Sequence, residues 1–189
     1  MMLLYKTVPI DGDTAARLAS LPPPLAAYAE GRRGEAGARR IAALTALAQL
    51  LSYMEIPCPA VEISPYGKPD FTKSEYFFSL SHAGELAVAA LSTCPLGVDI
   101  EPYDRPLPDG RMARLTEHYF QGAEKEELTA LSGEARRRAF LEGFVKKEAY
   151  AKRDGRGLAA LRSVDTLAEP PRLTETVTHN GRDYFLAIY

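Results

Sequence analysis

Asp99 and Glu101 stand two apart in the stretch Gly97-Val98-Asp99-Ile100-Glu101, framed by β-branched Val98 and Ile100. At strand spacing both carboxylates lie on one face and both apolar side chains on the other. Further along, Phe144-Val145-Lys146-Lys147-Glu148-Ala149-Tyr150-Ala151-Lys152 sets Glu148 and Lys152 four apart in a helix-favouring run, as neighbours on one helical face. Each motif has a plainer reading alone. The first would be a half-buried strand with two solvent-facing acids; the second would be a surface ion pair contributing roughly a few tenths of a kcal/mol. Together they are three carboxylates meeting a lysine. That set suits a hard cation held against a phosphate-bearing substrate, because Mg²⁺ takes oxygen ligands, usually one or two carboxylates plus substrate phosphates.

Ser81-His82 offers a hydroxyl beside an imidazole, but adjacent side chains of an extended segment point to opposite faces. No G-x-S-x-G elbow accompanies them, so a hydrolase pair is not supported. Lys68 sits in a Gly67-Lys68-Pro69 turn, and Arg39-Arg40 begin a long helix-patterned run. Basic pairs and triples at Arg32-Arg33, Arg39-Arg40 and Arg136-Arg137-Arg138 are, without further context, solvated helix faces.

The elements that must position these residues alternate between helix and strand. Leu3 to Val8 reads as a strand, Asp11-Gly12-Asp13 as the cap of a helix reaching Leu18, and Pro22-Pro23-Pro24 as punctuation. Apolar residues recur at helical spacing from Glu35 to Met54. Val61 to Ile63 is a strand and Pro65 to Pro69 a turn. Phe77 to Leu80 and Leu86 to Leu91 form a hairpin across Ser81–Glu85. After the Asp99 strand, helices are expected around 111–118, 123–131 and 134–152, then strands near 163–167, 173–178 and 184–189. Thr178-His179-Asn180-Gly181 before the last strand echoes Ser81-His82-Ala83-Gly84. This order predicts an α+β fold rather than a parallel βαβ sheet.

Composition sets the frame. The 189 residues are 46% hydrophobic and 25% charged, which suits one compact unit or two small lobes. A net charge of −2 advertises no nucleic-acid partner. No apolar run reaches the roughly 20 residues of a membrane span, and no signal-peptide pattern opens the chain. Cys58 and Cys94 lack C-x-x-C spacing, so neither a disulfide framework nor a zinc site is expected. The chain reads as cytoplasmic.

The two motifs resemble the signature of the 4′-phosphopantetheinyl transferases, (I/V)-G-(I/V)-D-(I/V)-E followed by (F/W)-x-x-K-E-(A/S)-x-x-K. Tyr66-Gly67-Lys68-Pro69 and Phe78-Ser79-Leu80-Ser81-His82 resemble two further elements of the larger, Sfp-type branch, in the same order. The resemblance implies two similar α+β lobes in one monomeric chain, here residues 1–96 and 97–189, with the active site between them. It implies transfer of the 4′-phosphopantetheine arm of coenzyme A to a serine of an apo acyl or peptidyl carrier protein, releasing 3′,5′-ADP. By the same resemblance Asp99, Glu101 and Glu148 hold Mg²⁺. Glu148 and Lys152 are catalytic, and Arg39 or Arg40, Lys68, Ser81, His82 and Lys152 contact coenzyme A. Helical phase slightly favours Arg40 over Arg39. Carrier proteins are expected to dock near 111–118, with Arg111, Arg114 or the Arg136–Arg138 cluster contributing. Phe144 stands where many relatives carry tryptophan. Ser79 replaces the commoner asparagine, which leaves the hydrogen bonding of that element open. Two other classes use the same residues: a metal-dependent nucleotide phosphohydrolase with a water nucleophile, and a silent module that binds coenzyme A or a carrier.

Overall fold

The computed structural model describes residues 2–31 and 34–189, so the Arg32-Arg33 pair lies outside the described residues. In the first half, β1 (Leu3–Pro9) is followed by the helices α1 (Thr14–Ser20), α2 (Pro23–Ala29) and α3 (Gly34–Tyr53). A short ribbon, β2 (Val61–Ile63) and β3 (Pro69–Phe71), leads to the hairpin β4 (Phe77–Ala83) and β5 (Leu86–Ser92). The second half runs β6 (Val98–Pro102), α4 (Asp109–Tyr119), α5 (Gly122–Ala130) and α6 (Gly133–Asp154). It ends with a 3₁₀ turn at Gly157–Arg162 and the hairpin β7 (Leu173–His179) and β8 (Arg182–Ile188). The mixed α+β class is the one expected from sequence.

Two three-stranded antiparallel sheets share one plan. Their orders are β1-β5-β4 and β6-β8-β7, so in each the last strand is central. The central strands carry near-continuous apolar runs because both of their faces are covered. On the first sheet, α3 packs Leu44, Leu47 and Leu51 over Ala87, Ala89 and Leu91. On the second, α6 packs Leu141, Val145 and Ala149 over Phe185, Ala187 and Tyr189. The remaining faces meet in a common core, Val88 and Ala90 against Val98, Ile100, Leu186 and Ile188. Alternation along β6 therefore sends Val98 and Ile100 into that core and leaves Asp99 and Glu101 on the α6 side.

Local signals account for most boundaries. Asp13 caps α1, its Oδ1 accepting from the Ala15 and Ala16 N–H groups at 2.9 and 3.0 Å, a contact contributing about 1 kcal/mol. Gly155 ends α6 in the left-handed region at φ 84°. Three elements differ from expectation. The triple proline does not merely interrupt the chain; it starts α2, where proline in the first turn gives up no hydrogen bond. The β4–β5 turn is only Gly84-Glu85, so Ser81 and His82 lie within the strand, paired with Val88 and Ala87. Residues 163–167 form no strand. Side chains take the place of a ladder at their centre: Lys147 Nζ donates to the Val164 carbonyl at 2.7 Å and the Thr166 N–H to Glu124 at 2.7 Å. Among the described residues, no helix is long and apolar enough to cross a membrane.

Candidate active site

Gly97 opens β6 where the strand presses on the backbone of α6. A Cβ there would lie 2.0 Å from the Ala149 carbonyl oxygen and 2.3 Å from the Arg153 nitrogen. No other residue type allows that approach, and the approach brings the carboxylates of β6 to the charged face of α6. Lys152 Nζ donates to Asp99 Oδ1 at 2.7 Å. Ser81 Oγ–H, from β4, donates to the same oxygen at 2.6 Å. The Val98 N–H donates to Ser79 Oγ at 3.1 Å, which settles how serine serves in the position expected to carry asparagine.

These contacts form one wall of a cleft of about 590 Å³. Asp99, Glu148 and Lys152 line it from the second half; Arg39, Arg40, Lys68, Ser81 and His82 line it from the first. The structure thus brings eight of the nine expected site residues to a single cavity. Glu101 is the exception. It lies on the same face of β6 as Asp99 but outside the cleft lining, and Arg105 pairs with it. Burial chiefly, with Asp99 and Glu148 adding and Arg105 opposing, raises the pKa of Glu101 to about 7. Burial and then the charge of Asp99 raise Glu148 as well.

Among the described residues no three Asp, Glu, His or Cys side chains form a ready-made metal cage. Two of the three expected carboxylates are instead engaged by the chain's own cations, Lys152 on Asp99 and Arg105 on Glu101. The donor set still fits a hard cation. Its oxygens are carboxylates, and two of them are held above their ordinary pKa by burial and mutual repulsion, which a cation relieves.

The opposite wall is cationic. Partial desolvation, then the charges of Lys152 and Arg39, push His82 below its ordinary pKa. An anion beside it would act the other way. Arg39 is the arginine whose charge reaches His82, and it pairs with exposed Glu35 at 3.1 Å. Arg40, favoured by helical phase, is turned onto Tyr28, its guanidinium 4.5 Å from the ring centre and 3.3 Å from the Tyr28 carbonyl oxygen. Lys68 lies along Gly155, where a Cβ would meet its Cδ at 3.6 Å. The β2–β3 ribbon therefore reaches across to the end of α6.

Lys147, one place before Glu148, points elsewhere. It is 1% exposed, 2.7 Å from Glu124 Oε2, and its carbonyl partner is Val164. It ties α5 and the 163–167 segment to α6 and takes no part in the cleft. Two neighbours of the site were missed in the sequence. Arg105 follows Glu101 across a turn closed by the Arg105 N–H to Pro102 carbonyl bond at 3.1 Å, a geometry no strand or helix spacing reveals. Tyr28 belongs to α2, itself hidden behind the prolines.

Residues 95–188 match the model of the 4′-phosphopantetheinyl transferase superfamily. Over 115 residues the chain is 36% identical to the 4′-phosphopantetheinyl transferase HetI of Nostoc sp., covering 57% of this chain and 47% of that one. It is 31% identical over 94 residues to psf-1 of Bacillus pumilus, 49% of this chain and 38% of the relative. It is 27% identical over 95 residues to Sfp of Bacillus subtilis, 50% of this chain and 40% of the relative. The matches thus span less than half the length of each of these curated relatives.

Proposed function

We propose, from the fact that through residues 95–188 this chain belongs to the 4′-phosphopantetheinyl transferase superfamily, that it moves the phosphopantetheine arm of coenzyme A onto a serine of an apo acyl or peptidyl carrier protein. The observation that carries the reading is the cleft itself. Its acids and Lys152 come from one half of the chain, and Arg39, Arg40, Lys68 and His82 from the other. In the reaction the serine oxygen bonds to the phosphorus bearing the arm, and the bond to the 3′,5′-ADP oxygen breaks. The serine proton passes to Glu148, directly or through water. A raised pKa makes that carboxylate a better proton acceptor near neutrality. Lys152 stabilises charge on the phosphates.

Asp99 and Glu148, with Glu101 behind them, would hold Mg²⁺. Two carboxylates at the cleft suffice, because Mg²⁺ completes its shell with water and substrate phosphates. Bound there, the ion would neutralise the diphosphate and the leaving group. His82 and Arg39 fit the 3′-phosphate, with Arg40 beside them, and Lys68 and its turn fit the adenosine end. Ser81 lines the cleft, but its hydroxyl proton is engaged by Asp99.

The repeated sheet plan supports two lobes divided near residue 97 and fused in a monomer; a stable trimer in sedimentation would oppose this. Arg111 and Arg114, exposed on α4, suit an acidic carrier surface by charge alone. The named relatives are transferases, which lends no support to a hydrolase or a silent module. The test is to incubate the protein with coenzyme A, Mg²⁺ and a panel of apo-carrier proteins and weigh the carriers. One that gains a phosphopantetheine arm supports transfer. Hydrolysis of coenzyme A with every carrier unchanged would exclude it.

A further inference from the structure

We infer that Ser81 is a positioning residue for the Asp99 carboxylate; the consequence for catalysis rests on the transferase reading. Ser81 and Asp99 are 7% and 6% exposed, and they come from strands that belong to different sheets. No backbone ladder joins β4 to β6. The strands are stitched instead by two serines on one face of β4: Ser79 Oγ accepts from the Val98 N–H, and Ser81 Oγ–H donates to Asp99 Oδ1.

The second stitch acts on the site. Asp99 Oδ1 receives two donors from two directions, Ser81 Oγ at 2.6 Å from the first half and Lys152 Nζ at 2.7 Å from α6. Two fixed donors on one oxygen set both the position and the plane of a carboxylate. Among the described residues no hydrogen bond reaches Oδ2, and Asp99 lines the cleft. The carboxylate is thus gripped by one oxygen and presents the other. Lysine alone is a flexible tether, whereas a hydroxyl on a paired strand is a rigid one. Losing a hydrogen bond that orients a metal-ligating side chain typically costs about 10- to 100-fold in metal affinity. A hydroxyl has a single proton to donate, so while it is on Asp99 it cannot also be given to a phosphate.

The experiment compares wild type, Ser81→Ala and Ser81→Thr by crystallography and by Mn²⁺ titration followed by electron paramagnetic resonance. In Ser81→Ala the Asp99 carboxylate should rotate or split into two conformers, and Mn²⁺ affinity should fall about 10- to 100-fold. Ser81→Thr, which keeps the hydroxyl, should restore both. An unmoved carboxylate in Ser81→Ala overturns the inference. If the carboxylate moves while wild type modifies no carrier, the transferase reading falls and the positioning of Asp99 stands.

Discussion

The two halves of the molecule run one course, strand, helix and hairpin with the last strand central, and use it for opposite chemistry. In the first half β1 carries no acid, and α3 sends alanine and leucine onto its sheet while arginines gather near its start. In the second, β6 carries Asp99 and Glu101, and α6 turns Glu148 and Lys152 toward them. The hairpins repeat the contrast. His82 on β4 lines the cleft, whereas His179 at the matching end of β7 does not. A shared backbone plan therefore supplies equivalent places, and side chains assign the work. One wall waits for an anion; the other crowds anions around the chain's own cations.

That division yields predictions of graded size. The largest concerns the acidic wall. Glu148→Gln should lower kcat by about 10²- to 10⁴-fold, the range for losing a general base, with coenzyme A affinity nearly kept. Steady-state kinetics with a modifiable apo-carrier would check this, and an equal loss in coenzyme A affinity would blur the two walls into one.

Next comes the pair of lysines on α6. Lys147→Ala leaves Glu124 buried and unpaired, and should cost about 3–5 kcal/mol in urea denaturation. Lys147→Met with Glu124→Leu should recover only part of that loss, because the Val164 carbonyl and the Thr166 N–H lose their partners. Lys152→Ala, at a partly exposed position, should cost far less stability and far more activity.

On the cationic wall, His82→Ala should weaken the preference for coenzyme A over its 3′-dephospho form. A charge-assisted hydrogen bond contributes about 1.5–3 kcal/mol, or roughly 10- to 150-fold in relative kcat/KM. Equal loss with both substrates would reduce His82 to a brace for the turn.

The last effect is on stability against pH. Glu101 titrates near 7 in the folded chain against an ordinary 4.5, so between those values the folded state holds the extra proton. Its contribution is therefore present at low pH and is lost as pH rises toward 7. Metal-free thermal melts should show that decline, and Glu101→Gln should flatten it.

How legible was this in the sequence? The strand phase of Val98-Asp99-Ile100-Glu101 gave the right faces, because alternation in a half-buried strand leaves little choice. The charged face of α6 was legible for the same reason at helical spacing. Residues 163–167 looked like a strand because Val164 and Leu167 are apolar, yet their partners are Lys147 and Glu124, and no local pattern announces a side chain replacing a ladder. Arg105 and Tyr28 were invisible because a turn and an unforeseen helix place them. Lys147 and Glu148 are adjacent and both charged, so only packing shows that one lies in the core and the other in the cleft.

The division of labour is tested most directly by titrating adenosine 3′,5′-bisphosphate, which has the adenosine end of coenzyme A and no diphosphate, into wild type, Asp99→Ala and His82→Ala in a calorimeter. The account predicts that Asp99→Ala binds it as wild type does and that His82→Ala binds it about tenfold or more weakly. Binding lost in Asp99→Ala and kept in His82→Ala would contradict it.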